Sequence, residues 1–136
     1  MAAALDMAGM GHLRLTVSSI ECTNLRSADM FSKNDVYVEI ACGPKTVKTR
    51  TIPNGGRNVT FPEAYELIVS EAELASGVVL TAMDKDKYTR DDLLGVATLE
   101  RSALADDPAR LRAALVFKGA ARRRDGARVR RRRPVT

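Results

Sequence analysis

The chain lacks the pairings on which most enzyme chemistry depends. His12 is the sole histidine, no Gly-x-Ser-x-Gly elbow or glycine-rich phosphate cradle occurs, and neither Cys22 nor Cys42 has a neighbouring base to activate its thiol. These absences argue against catalysis and against a small-molecule substrate. The two cysteines also lack the C-x-x-C neighbour that a zinc or redox site wants, so two reduced thiols in a cytoplasmic protein are the expectation. Long apolar runs are missing as well. No stretch approaches the roughly 18 consecutive apolar residues of a membrane span. Residues 1–10 carry neither a basic n-region nor the apolar core of a secretory signal, and Ala rather than Gly follows the first Met, which removes the myristoylation pattern. Any membrane contact is therefore expected to be peripheral and reversible, from the cytoplasm.

What the chain does have is length enough for one core and an uneven distribution of charge. Its 136 residues suit a single domain. The net charge of +5 is misleading: nine basic residues against Asp125 alone lie in 118–133, which leaves 13 basic and 16 acidic residues elsewhere, a net of about −3. The basic character belongs to the tail. The expected organisation is a short extension over 1–11, a domain over 12–133 whose final segment from about 122 is arginine-rich, and an end at 134–136.

Period-two alternation runs through the domain. Leu13, Leu15 and Val17 alternate with His12, Arg14 and Thr16, and further alternating or apolar stretches at 36–40, 46–50, 64–69, 78–83 and 95–99 are bounded by Gly, Pro, Asn or Asp. Short strands at this density predict an all-β fold, an eight-stranded antiparallel β-sandwich. One short helix is predicted late in the chain, with Asp107 as N-cap and Pro108 at the first helical position, running to Leu115. A hairpin turn is expected at 119–127, followed by an edge strand or a disordered tail.

Two acidic clusters stand at the mouths of these apolar segments, Asp29 with Asp35 and Asp84 with Asp86 and Asp92. Calcium takes six to eight oxygen ligands at about 2.3 to 2.6 Å, so it needs carboxylates gathered from separate loops. Two carboxylates about 4 Å apart repel by about 4 kcal/mol at an effective dielectric near 20, which makes such a cluster unfavourable until cations arrive. An EF-hand does not account for the pattern: counted from Asp84, its sixth and twelfth positions should be Gly and Glu, and here they are Thr89 and Gly95.

The run Asp84-Lys-Asp86-Lys-Tyr-Thr89-Arg-Asp91-Asp92-Leu-Leu-Gly95 resembles the third calcium-binding loop of C2 domains. That family places an Asp, a second Asp two residues on, a Ser or Thr three beyond it, and a further Asp before an apolar pair and a Gly. Asp29 and Asp35 stand at the separation of the family's loop-one aspartates, ahead of Val36-Tyr-Val38 where members usually have Pro-Tyr-Val. Residues 58–65 are similar to the family's Asn-Pro-Val-Trp-Asn-Glu-x-Phe strand, with Val59 in place of Pro. The resemblance covers about residues 12–133 and implies a C2-like Greek key. Its first acidic loop follows one strand in the type II topology and two in type I. Counting only residues 13–20 ahead of that loop leads to type II, with an eighth strand at about 127–133.

The resemblance further implies two or more calcium ions held by Asp29, Asp35, Asp84, Asp86 and Asp92 with Thr89 in support. It implies membrane contact by Met30 and Phe31 at the tip of loop one and by Tyr88 at the tip of loop three. Lys45, Lys48 and Arg50 stand where C2 domains carry a patch for anionic lipid. The function so implied is calcium-dependent docking on anionic phospholipid membranes. The alternative is a calcium-independent protein-interaction or scaffold module that uses the sandwich faces and the basic end. Aromatics are scarce near the arginine-rich segment, which argues against nucleic acid as a partner.

Overall fold

The computed structural model describes residues 1–27, 33–104, 111–112 and 118–119. Its strands are β1 (Ala2–Gly9), β2 (His12–Cys22), β3 (Val36–Cys42), β4 (Lys45–Lys48), β5 (Val59–Val69), β6 (Val78–Asp84), β7 (Asp92–Leu99), β8 (Leu111–Arg112) and β9 (Lys118–Gly119). They form two antiparallel sheets, one ordered β5-β2-β1-β8 and the other β4-β3-β6-β7-β9. Inward-facing residues at every second position meet between the sheets. Leu15, Val17 and Ile20 of β2 and Phe61 of β5 are fully buried, as are Val36, Val38 and Ile40 of β3, Leu80 of β6 and Leu94 of β7. Burying such a side chain contributes about 1.5 to 3 kcal/mol, so this shared layer is what holds the two sheets face to face. Cys22 and Cys42 belong to it as free, buried thiols. Burial pushes the Cys22 thiol up to about 12.

Residues 1–11, which the sequence reading sets apart as an extension, include β1. It pairs along β2, and the two strands meet at Gly9 and His12 across Met10 and Gly11, both with positive φ. That is the backbone a two-residue hairpin turn requires. Alanine-rich segments carry little strand propensity, and only Ala3 and Leu5 are buried on β1, so its alternation is faint in the sequence. Two strands thus precede the first acidic loop, the type I arrangement, and the type II assignment is corrected. The segment 127–133 that type II required lies outside the described residues.

The late helix also needs correction. Leu111 and Arg112 pair with Ala3 and Ala2 as β8, because the open edge of β1 offers hydrogen bonds that outweigh their helical preference. The rest of 107–115 lies outside the described residues, as does nearly all of the hairpin expected at 119–127. The short helix occurs earlier, as α1 (Glu71–Leu74), opened by a capping box: Ser70 Oγ accepts from the Glu73 N–H at 3.1 Å and Glu73 Oε1 accepts from the Ser70 N–H at 2.9 Å. Among the described residues no helix is long and apolar enough to cross a membrane.

Candidate functional site

One end of the sandwich collects the connections β2–β3, β4–β5 and β6–β7, and with them the carboxylates. Asp84 closes β6 and lies across from Val36 on one side and Asp92, the first residue of β7, on the other. Asp35, just ahead of β3, donates its N–H to Asp84 Oδ1 at 2.8 Å, while its own carbonyl accepts from the Lys85 N–H at 2.9 Å. Asp35 Oδ1 accepts from the Asn54 N–H at 2.8 Å. Strand register therefore sets Asp84 across from Asp92 at this end of the sandwich, and the Asp35 N–H ties Asp35 to the Asp84 carboxylate.

Loop three is organised by its own acids. Asp86 Oδ1 accepts from the N–H groups of Tyr88 at 2.9 Å and Thr89 at 3.2 Å, and its Oδ2 accepts from the Thr89 hydroxyl at 2.8 Å. The Tyr88 N–H and then the Thr89 hydroxyl hold the Asp86 carboxyl below its ordinary range, because each bond favours the charged form. Thr89 thus supports Asp86 directly. Tyr88 is 90% exposed at the tip. Asp91 joins the loop to the sheet: it accepts from the Asp86 N–H at 3.0 Å and from the Tyr37 hydroxyl of β3. The Tyr37 hydroxyl and the Asp86 N–H lower the Asp91 carboxyl, whereas burial first and Asp91 second push Tyr37 up to about 12.

Asp91 and Asn34 are the residues that sequence reasoning missed. Asn34 is 1% exposed, and its carboxamide donates to the carbonyls of Arg26 and Gly56, each at 2.9 Å. The only hint of Asp91 is that it doubles Asp92. Asn34 has a fainter signal still, a polar residue just ahead of a β-strand. The β2–β3 connection is further tied down by Arg26, whose Nε donates to the Leu93 carbonyl at 2.9 Å, and by Arg57, whose Nε donates to the Leu25 carbonyl at 2.6 Å.

Asp29, Met30 and Phe31 lie outside the described residues. Among the described residues no three His, Cys, Asp or Glu side chains gather into a group that would hold a metal, so Asp35, Asp84, Asp86 and Asp92 share an end without forming a closed cage. The basic set is not brought together either. Lys45 sits at the far end of β4, donating to the Ile68 carbonyl at 3.0 Å and pairing with Glu73 at 3.4 Å. Lys48 lies over the Tyr37 ring, 5.7 Å from its centroid, and Arg50 pairs with Glu63 at 2.8 Å. Register places Lys48 opposite Glu39.

An antiparallel sandwich with three connections at one end, two of them carrying aspartates, is the architecture of a loop-borne binding module. Its family follows from comparison with known proteins: residues 13–113 match the C2 domain, and the chain belongs to that family. It is 32% identical over 101 residues to a calcium-dependent lipid-binding protein of Arabidopsis thaliana, covering 74% of this chain and 19% of that one. Human GIVD cytosolic phospholipase A2 superposes with a TM-score of 0.54 at 26% identity, over 75% of this chain and 14% of the other. The RIM C2A domain from Drosophila superposes at 0.59 with 15% identity, over 82% and 95%, a likeness of fold. The chain thus spans under a fifth of the length of the first two proteins.

Proposed function

We propose that this chain docks reversibly on anionic phospholipid membranes from the cytoplasm when calcium binds its acidic loops. The observation that supports the reading is that Asp84 takes the Asp35 N–H and lies across from Asp92 at one end of the sandwich, in a chain of the C2 family. The name of the Arabidopsis relative points the same way. Asp29 and Asp86 complete the ligand set and Thr89 steadies Asp86; two or more ions are expected for that many charges. Asp86 accepts from its own loop N–H groups and from the Thr89 hydroxyl, so it would hold a cation through the remaining acceptor capacity of its two oxygens. Met30, Phe31 and Tyr88 then enter the lipid surface once the adjacent charge has been neutralised. Lys48 adds headgroup contact near the loop end, while Lys45 is paired with Glu73 and Arg50 with Glu63.

A second reading is a calcium-independent interaction module, favoured by the carboxylates of Asp35, Asp84 and Asp86 each already accepting loop N–H groups. Sedimentation with phosphatidylserine vesicles separates the two. Under the first reading, binding is lost in chelator, and Asp84→Asn with Asp86→Asn reproduces that loss at saturating calcium. Binding that survives both treatments overturns it.

A further inference from the structure

Residues 34 and 35 touch all three connections of the acidic end. The Asn34 carboxamide holds the Arg26 carbonyl of the β2–β3 connection and the Gly56 carbonyl of the β4–β5 connection, while its own main-chain carbonyl accepts the N–H groups of Gly55 at 2.8 Å and Gly56 at 3.3 Å. Asp35 extends the set to Asn54 and to Asp84 and Lys85. The glycine side of this arrangement is independently constrained. A Cβ on Gly55 would lie 2.6 Å from Val59 Cγ1 and 3.3 Å from Ile52 Cγ2, so a larger residue at position 55 would push this backbone away from Val59 and Ile52 and disturb the bond its N–H makes to Asn34. Gly56 follows with a φ of +80°, a conformation that also favours glycine.

We infer that Asn34 with Gly55 and Gly56 forms a latch between the β2–β3 and β4–β5 connections, which Asp35 extends to the β6–β7 connection, making Asn34 a positioning residue for the acidic site. The inference rests on the calcium reading above for its functional consequence, while the latch itself is a set of hydrogen bonds that needs no metal. A carboxamide suits the role because it offers two N–H donors to two carbonyls from different connections, which a hydroxyl or a carboxylate does not. Calcium requires oxygens from separate loops at set distances, so loosening the latch acts on affinity through geometry with every carboxylate still present. Loss of partners that orient metal ligands typically weakens metal affinity by about 10- to 100-fold.

Two full-length variants test it, Asn34→Ala and Gly55→Ala, with calcium titrated by calorimetry and amide hydrogen exchange followed in calcium-free protein. Each variant is expected to raise the calcium midpoint about tenfold while retaining a cooperative melt. Asn34→Ala removes the carboxamide bonds and Gly55→Ala disturbs the main-chain bond of the same latch, so the double variant should fall short of the summed single effects. In the calcium-free protein, exchange at Gly55, Asp35 and Lys85 should quicken together in both variants. Faster exchange confined to Gly55, or a lower melting temperature with an unchanged calcium midpoint, overturns the latch and reduces Asn34 to a structural residue. Should wild-type protein take up no calcium at all, the calcium reading falls, and the latch is decided by the exchange pattern alone.

Discussion

The two ends of the sandwich connect their strands by different means. At the end opposite the acids, β1–β2 turns through Met10 and Gly11, β3–β4 turns through Gly43 and Pro44, and β5–β6 uses the capped helix and Gly77. Backbone conformation makes the first two of these turns, and the third adds the Ser70 and Glu73 side chains of its capping box. At the acidic end, side chains take over from the backbone. Asn34, Arg26, Arg57, Asp35, Asp86 and Asp91 reach main-chain groups of their own loop or of neighbouring ones. A turn made of glycine conformations is indifferent to solution conditions, whereas loops held by charged and polar side chains answer to ions and pH.

The contrast makes graded predictions. Asn34→Ala leaves two part-buried carbonyls short of a donor and should destabilise the fold by about 1 to 3 kcal/mol in denaturant titration. A loss below 0.5 kcal/mol would mean that the loops do not depend on that side chain. At the other end, Ser70→Ala removes the N-cap of α1 and should cost about 1 kcal/mol by the same measurement, with vesicle binding unchanged. Weakened vesicle binding in that variant would show that the ends are not independent.

The smallest effect concerns acid. Asp86 and Asp91 have carboxyls held below their ordinary range, so the stability they contribute is present above the unfolded-state value near 3.8 and is lost as pH falls through their lower folded values. Tyr37→Phe deletes a hydrogen bond to Asp91 and should flatten the decline in melting temperature below about pH 4, leaving the neutral-pH slope unaltered. An identical acid profile for both proteins would remove Asp91 from the set of groups that tie loop three to β3.

The sandwich was legible because β2, β3, β6 and β7 alternate strongly, with β-branched and leucine side chains on the inward face. β1 was not, since alanine marks neither face and the pattern has only Ala3 and Leu5 to carry it. The helix was misplaced for a related reason: Ala, Leu and Arg in 109–115 look helical in isolation, yet Leu111 and Arg112 lie beside an unpaired strand edge. At the site, Asp84, Asp86, Thr89 and Asp92 were readable as a spaced motif, and the register between β6 and β7 explains why such spacing brings Asp84 beside Asp92. Asn34 and Asp91 act through bonds to distant main-chain atoms or to a tyrosine on another strand. Such partners follow from tertiary register and leave no periodic trace.

Cys22 and Cys42 close β2 and β3 respectively, both sealed inside the layer between the sheets, with burial raising each thiol above its ordinary range. A protonated sulfur without solvent access is a poor nucleophile. Alkylating reagents therefore reach these two positions only when a strand peels away, so the pace of their modification serves as a native clock for how often the whole body opens, with no foreign label attached.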